Sequence, residues 1–190
     1  LPDTAVVLTP GIVSDAIAAI CTRKSNKHHI APSSLHMALS AATSLLSLEP
    51  TVVDLTGRSR MAGDTVHVVG DLHGCGESLK AVLALCGPPS SSNVIVFNGD
   101  FVDRGDQSVE VLASLALLKV CHPESIHLLR GNHEDELLAT VYGYKDELIA
   151  KYGDAVTNSS LWPATVTFFR ALPLAARTAD SFIVHGGLPS

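Results

Sequence analysis

Three largely apolar, β-branched runs, each followed within two residues by a glycine-bounded polar cluster, constrain the fold of this chain most strongly. A run that is continuously apolar, rather than alternating, is typical of a parallel strand covered on both faces. Because open α/β sheets bind ligands at the carboxyl ends of parallel strands, the clusters predict one shared site at that edge. The runs occupy Thr65–Val69, Asn93–Phe97 and 125–129, and the clusters are Gly-Asp-Leu-His-Gly at 70–74, Gly-Asp-Phe-Val-Asp-Arg-Gly at 99–105 and Gly-Asn-His-Glu at 131–134.

Amphipathic segments between these runs predict an α/β fold. Their alternation with strands requires right-handed crossovers and a largely parallel sheet. Residues 1–50 contain two further segments, at 11–21 and 35–48, whose apolar residues recur at helical spacing. They are expected to form a helical lead-in to the domain at 51–190. The other expected elements are helices at 77–86, 107–120, 134–152 and 165–172, a turn at 158–163, and strands at 51–55, 174–177 and 181–184.

Composition excludes several classes of protein. A hydrophobic content of 46% and a charged content of 17% are ordinary for a globular domain, and a net charge of −6 gives no bulk attraction for nucleic acid or anionic lipid. No apolar run is long enough to predict a membrane span, and the four cysteines lack CxxC pairs, which favours reduced thiols in the cytoplasm or nucleus. The chain starts at Leu1 and stops soon after a strand-like run, so it is expected to be a fragment.

The residue types in the clusters indicate a metal centre. Asp71 and His73 lie two residues apart at one strand end, and Asp100, Asn132 and His185 each follow another strand. Oxygen ligands mixed with imidazole suit Mn, Fe or Zn better than Ca or Mg, and the lack of cysteine ligands argues against a closed structural zinc site. Hydrolytic centres of this kind usually hold two ions bridged by one Asp, which lowers the pKa of bridging water from about 15.7 to about 7.

Three more residues have the chemistry to handle a phosphate ester. The planar guanidinium of Arg104 can bind two phosphate oxygens at once, which Lys cannot do. The alternative interpretation of Arg104 is a surface ion pair with Asp106 or Glu110. His133 is expected to be the general acid that protonates a departing alkoxide. Asp103 would then orient and charge its imidazole.

Each candidate also has a plain structural interpretation, as a turn former or a buried core side chain. Four glycine-bounded clusters, each at the end of an apolar strand, favour a site instead. Glu134 is expected to begin the following helix, where a carboxylate suits the helix dipole. Cys75 is expected to be a spectator that makes the site sensitive to oxidation, and the role of Arg130 stays open.

The four motifs Gly-Asp-Leu-His-Gly, Gly-Asp-Phe-Val-Asp-Arg-Gly, Leu-Leu-Arg-Gly-Asn-His-Glu and His-Gly-Gly-Leu resemble, in order and spacing, the phosphoprotein phosphatase family of serine/threonine phosphatases, which are calcineurin-like metallophosphoesterases. The resemblance covers roughly residues 52–190. It implies a metallophosphoesterase catalytic domain with a four-layer α/β fold, in which two mixed β-sheets are sandwiched between helices. It also implies that the fold is incomplete at the C-terminus.

The resemblance further implies a role for each matching residue. Asp71 and His73 would bind the first metal, Asp100 would bridge both, and Asn132 and His185 would bind the second. Arg104 would bind the phosphate, and Asp103 and His133 would form the acid pair. The family draws one more metal-binding histidine and a second phosphate-binding arginine from downstream sequence, so this piece alone is expected to bind its second metal weakly and to be a poor enzyme.

The resulting expectation is a protein phosphatase that hydrolyses phosphoserine and phosphothreonine by direct attack of metal-bridged hydroxide. It implies phosphoprotein substrates and regulatory subunits, and no nucleic acid or membrane partner. One alternative is a dinucleoside-polyphosphate hydrolase, because Cys75 resembles the bacterial-type members at a position where many eukaryotic members carry glutamine. A second is a truncated, non-catalytic module that binds phosphoproteins.

Overall fold

The computed structural model describes residues 30–57 and 63–187, so the helix expected at 11–21 lies outside the described residues. The helices are α1 Pro32–Leu46, α2 Gly76–Cys86, α3 Ser108–Cys121, α4 Glu136–Val141, α5 Tyr144–Tyr152, α6 Asp154–Val156 and α7 Trp162–Ala171, with a π-helix at Thr157–Leu161 between α6 and α7. The strands are β1 Val52–Asp54, β2 Thr65–Val69, β3 Asn93–Phe97, β4 Ile126–Leu128, β5 Ala175–Arg177 and β6 Phe182–Val184.

The strands form two sheets of three strands each. In the first sheet β2, β3 and β4 are parallel, with Val66 opposite Val94 and Ile95 opposite Ile126. In the second sheet β5 lies between β1, to which it is parallel, and β6, to which it is antiparallel. The one largely parallel sheet that the alternation predicted is therefore divided in two, and the helices and paired sheets implied by the resemblance are confirmed.

Strand β3 shows why its sequence is apolar without alternation. Its four apolar side chains are at most 1% exposed, yet they belong to two different cores. Val94 and Val96 pack between the sheets, with Val53 and Ile183 among their neighbours, whereas Ile95 and Phe97 pack in the core shared with the helices. A strand between two cores needs apolar residues on both faces.

Helix α3 is central to the layer of helices. Most of its residues are buried, from Ser108 to Lys119, so it shows no polar face despite its length. Helix α1 packs against both α3 and α7, so the described part of the lead-in is integrated into the domain core.

Two local predictions are wrong. The helix expected at 134–152 is divided into α4 and α5 at Gly143, whose φ of 116° is left-handed backbone that glycine adopts without steric cost. The turn expected at 158–163 is helical, because the π-helix passes directly into α7 with helical backbone at Leu161 and Trp162 and includes Pro163 without a break.

A buried ion pair joins the end of the lead-in to the core. The Lys119 ammonium, 1% exposed, donates to the carboxylate of Glu49. It also donates to the carbonyl oxygens of Pro123, at 2.7 Å, and Ile126, at 3.0 Å. All three acceptors surround the junction between α3 and β4.

We expect Lys119→Met to lower the free energy of unfolding by about 3–5 kcal/mol, because the largely buried Glu49 carboxylate loses its counter-charge. Urea denaturation followed by circular dichroism measures the change. The double variant Lys119→Met/Glu49→Gln should recover most of the loss, since it removes the uncompensated charge. A cost below about 1 kcal/mol for the single variant would contradict this account.

Candidate active site

The carboxyl ends of β2, β3, β4 and β6 meet at one edge, and the eight residues predicted from the sequence lie there together. Asp71 and His73 follow β2, and His185 follows β6 directly. The loop after β3 supplies Asp100, Asp103 and Arg104, and the loop after β4 supplies Asn132 and His133.

Asp100 belongs to two groups of described side chains that could hold a metal ion. One group is Asp71, Asp100 and His185, the other is His73, Asp100 and His133, and the ligand atoms within each group lie within 4.8 Å of one another. Asp100 Oδ2 lies 3.5 Å from His73 Nε2, and Oδ1 lies 3.4 Å from His185 Nε2. The two oxygens of one carboxylate therefore face different histidines.

The histidine rings are oriented by backbone carbonyl groups. His73 Nδ1 lies 2.9 Å from the carbonyl oxygen of Val102, and His185 Nδ1 lies 2.7 Å from that of Asn98. A proton held on Nδ1 leaves the Nε2 lone pair free for a ligand. His185 Nε2 also lies 3.0 Å from Asn132 Oδ1, which brings the amide oxygen into the same group.

An independent observation also indicates that this set of donor atoms fits a metal ion. His73 Nε2 is buried and has no hydrogen-bond partner among the described residues, while carboxylate oxygens of Asp71 and Asp100 lie 3.7 and 3.5 Å from it. A buried nitrogen left without a partner costs about 1–3 kcal/mol, which a bound cation would offset. Clustered oxygen and imidazole donors suit transition-metal ions.

His133 has a partner on each ring nitrogen. Its Nδ1 lies 2.7 Å from Asp103 Oδ2, and both side chains are at most 2% exposed. Its Nε2 lies 3.3 Å from Nη2 of the exposed Arg104, which donates to it. Glu110, an alternative partner expected for Arg104, pairs with Lys151 at 2.6 Å instead.

Four of the eight residues have left-handed backbone, with φ of 43° at His73, 56° at Asp100, 72° at Asp103 and 66° at Arg104. Such a conformation costs about 1–3 kcal/mol for a residue with a side chain, and it persists only where the surroundings hold it in place. Asp100 and Asp103 therefore have the backbone of turn residues and also carry side chains of the candidate site, so the two interpretations do not exclude each other.

Two loops approach each other closely through glycine. A Cβ at Gly99 would lie 2.4 Å from the backbone nitrogen of Gly131, and a Cβ at Gly131 would lie 2.3 Å from Asp100 Oδ1. No other amino acid fits at either position without displacing the loops. The glycines that bound the clusters in the sequence therefore set the distance between the β3 and β4 loops.

Glu134 does not begin a helix, and that prediction is wrong. Asp135 is the N-cap of α4, and its side chain accepts from Leu137 N and Leu138 N. Glu134 is instead fully buried, and its carboxylate accepts hydrogen bonds from the backbone nitrogens of three residues in the β3 and β4 loops. These donors are Asp100 at 2.7 Å, Phe101 at 2.8 Å and Gly131 at 2.9 Å.

Burial raises the pKa of Glu134 to about 7, and the backbone donors oppose that rise because they favour the charged carboxylate. Arg130, whose role the sequence left open, donates from Nε to the carbonyl oxygen of Glu134 at 2.9 Å. Both side chains therefore hold the loop that carries Asn132 and His133.

Cys75 is an exposed free thiol at the N-cap of α2, and a hydrogen bond from Ser78 Oγ to its sulfur, at 3.0 Å, lowers its pKa.

Tyr142, about half exposed, contacts His133 edge to face, with ring centroids 5.1 Å apart. No role for Tyr142 follows from the sequence alone, because only the fold brings this residue to the site.

An open cleft of about 600 Å³ adjoins these candidate metal ligands. Asn132 and His185 lie on its site-facing side, and Leu138, Leu174 and Val184 give it an apolar wall.

Among the helices that the structure describes, none has the length and apolar character needed to cross a membrane.

Comparison with known proteins connects this geometry to a family. Residues 65–189 match the family model described as calcineurin-like phosphoesterase. The chain is 38% identical over 145 residues to serine/threonine-protein phosphatase T of Schizosaccharomyces pombe, and 39% identical over 145 residues to serine/threonine-protein phosphatase 5 of Homo sapiens. Each match covers 76% of this chain but only 29% and 28% of those relatives, respectively.

A solved structure agrees with these matches. It is a protein serine/threonine phosphatase from Saccharomyces cerevisiae described as similar to human phosphatase PP5, and it superposes with a TM-score of 0.75 at 31% sequence identity. The match covers 85% of this chain and 50% of that one. The chain thus spans half or less of the length of these three proteins.

We expect Glu134→Gln to lower the free energy of unfolding by about 1–3 kcal/mol, because an amide NH₂ replaces one acceptor and leaves a buried backbone donor without a partner. Urea denaturation measures the change. The matched control is Glu136→Gln, two residues further on, where an exposed carboxylate pairs with Arg170 and the expected cost is below about 1 kcal/mol. Equal costs for the two variants would contradict the role given to Glu134.

Proposed function

The chain belongs to the calcineurin-like phosphoesterase family, and from this premise we propose that it supplies part of the catalytic domain of a metal-dependent serine/threonine protein phosphatase. The observation that carries the proposal is Asp100, whose two carboxylate oxygens face different histidines beside the Asp103–His133 pair. The relatives named as serine/threonine phosphatases support the same reaction class. The proposed reaction is hydrolysis of phosphoserine and phosphothreonine in proteins.

In this proposal five residues hold two metal ions: Asp71, His73, Asp100, Asn132 and His185. Their donor set suits Mn, Fe or Zn. When bound, such ions lower the pKa of coordinated water and neutralise charge on a phosphoryl group. Because the chain has a net charge of −6, attraction for a phosphorylated substrate has to come from groups at the site itself.

Arg104 is the protein's own phosphate-binding group. Its guanidinium is exposed at the site, and its planar fork matches two phosphate oxygens. Without substrate it donates to His133 Nε2 at 3.3 Å. A phosphate dianion is a stronger acceptor than a neutral imidazole, so substrate binding draws Arg104 away and leaves Nε2 able to carry a proton.

His133 is the general acid. The Asp103 carboxylate, 2.7 Å from Nδ1, stabilises the imidazolium form and fixes the ring. Nε2 then delivers its proton to the serine or threonine oxygen as the phosphorus–oxygen bond breaks. The buried carboxylate keeps the ring oriented while the proton leaves its outer nitrogen.

The proposed partners are phosphoproteins and regulatory subunits, and the proposed location is the cytoplasm or nucleus. The three cysteines among the described residues are free thiols, as expected for a reducing compartment. Expression of a fluorescent fusion in cells tests the location, and secretion would overturn it.

The defining experiment is hydrolysis of a phosphoserine peptide by the protein with added Mn²⁺, together with metal content by elemental analysis. Because downstream ligands are expected to complete the second metal site, we expect slow metal-dependent turnover that chelation removes, and Asp100→Asn should lose both metal and this activity. Asp180→Asn makes the same chemical change at an exposed turn and should alter neither. Turnover of a dinucleoside polyphosphate but not of the peptide would favour the alternative hydrolase, and specific binding of the phosphopeptide without turnover would favour the non-catalytic module.

We expect His133→Asn to lower kcat for a phosphoserine peptide by about 10²–10⁴-fold, the usual contribution of a general acid. The loss should be much smaller for p-nitrophenyl phosphate, because nitrophenolate departs without needing a proton. Steady-state kinetics with both substrates measures the difference. An equal loss for the two leaving groups would assign His133 to another role.

A further inference from the structure

The N-terminus of α3 is capped by a carboxylate from a different helix. The side chain of its own N-cap residue, Gln107, makes no capping hydrogen bond. Glu147 of α5 accepts from Ser108 N at 3.0 Å through Oε2 and from Val109 N at 2.9 Å through Oε1. One carboxylate thus satisfies two of the free N–H groups at the start of a buried helix, where the helix dipole also favours a negative charge.

Ser108 connects this cap to the acid pair. Its hydroxyl oxygen accepts a hydrogen bond from Asp103 N at 3.1 Å, and its side chain is fully buried. Asp103 has a φ of 72°, so its backbone needs external support to keep its carboxylate in place. Displacing Ser108 would remove part of that support.

Helix α5 also holds Asp103 by its side chain. The first residue of the helix, Tyr144, donates its backbone N–H to Asp103 Oδ1 at 2.9 Å. Oδ2 is then directed to His133 Nδ1 at 2.7 Å. The backbone nitrogen and one carboxylate oxygen of Asp103 are therefore both fixed by contacts that lead to α5.

The charge of Glu147 is balanced within the same group. Lys151, one turn further along α5, lies 2.6 Å from Glu147 Oε1 and 2.6 Å from Glu110 Oε2. These three side chains are each 11% exposed, so they are largely shielded from solvent. The ammonium separates two carboxylates that would otherwise repel each other and fixes the direction of Glu147.

From these contacts we infer that Glu147 is a positioning residue for the Asp103–His133 acid pair and that it acts through Ser108 without touching substrate. The inference rests on the proposed function only for the use of that pair as an acid. The contacts themselves belong to the protein without metal or substrate, so they can be tested separately from turnover.

The test is the downfield ¹H NMR resonance of the His133 Nδ1 proton, measured on the metal-free protein and identified by its loss in Asp103→Asn. Glu147→Gln keeps the size of the side chain but replaces one acceptor with a donor, so it should shift or abolish this resonance. Ser108→Ala should do the same, and the double variant should add little, because both residues act on one path. Asp146→Asn, an exposed carboxylate beside Glu147, should leave the resonance unchanged.

Amide spectra of β3 report whether each variant remains folded. If Glu147→Gln does not fold, Ser108→Ala decides the matter alone. An unchanged His133 resonance in folded Ser108→Ala or in folded Glu147→Gln would overturn the inference, as would full additivity of their shifts.

Kinetics supply a second measurement. With Mn²⁺ present, Glu147→Gln should lower kcat for a phosphoserine peptide by up to about 10²-fold, the effect of a displacement near 1 Å, with KM little changed. The loss should be smaller for p-nitrophenyl phosphate. If the unsubstituted protein hydrolyses no phosphopeptide but Glu147→Gln still shifts the His133 resonance, the proposed function is overturned and the positioning role is supported. Failure of the proposed function and failure of the positioning role are therefore distinguishable.

Discussion

The hydrogen bonds that converge on the carboxylate of Glu134 determine the geometry of the site. Two donors, Asp100 N and Phe101 N, belong to the loop after β3, and the third, Gly131 N, belongs to the loop after β4. Because the acceptor is a single buried carboxylate, these donors cannot move independently. The position of Asp100 relative to His133, whose backbone nitrogen donates to Asp100 Oδ1 at 2.9 Å, follows from this constraint.

Strained backbone is maintained because rigid layers surround it. The left-handed residues Asp100, Asp103 and Arg104 follow β3, whose side chains fill the cores on both of its faces. A strand fixed on both sides gives the loop a firm origin, and Glu134 and Ser108 hold its backbone further on. Burial of apolar surface in the two cores thus offsets the cost of an unfavourable loop that carries functional side chains.

The part of this arrangement that is predictable from sequence is local in the chain. Apolar, β-branched runs identify β2 and β3 as strands, and glycine-bounded polar residues identify the loops that follow them. The burial predicted for both faces holds for β3 but is wrong for β2, because β2 lies at the edge of its sheet and Val68 is about half exposed. The roles of Glu134 and Glu147 are not predictable in this way. Two of the three backbone donors to Glu134 lie 33–34 residues away, and both backbone donors to Glu147 lie 38–39 residues away. A backbone donor leaves no trace in residue type. The start of a separate helix at Tyr144 is unpredictable from local sequence for a related reason, because the Tyr144 N–H is directed at Asp103, 41 residues away.

Consecutive left-handed residues explain how one imidazole is held from two sides. Asp103 and Arg104 are neighbours in sequence, yet one is 1% exposed and the other is exposed at the surface. Asp103 contacts His133 Nδ1 and Arg104 contacts Nε2, so adjacent side chains reach opposite nitrogens of the same ring. The buried contact is fixed by Ser108 and Tyr144, whereas the exposed one is the contact that the proposed binding of a phosphate would replace. A proton donor needs this division, because the ring has to keep its orientation while its outer nitrogen changes partner.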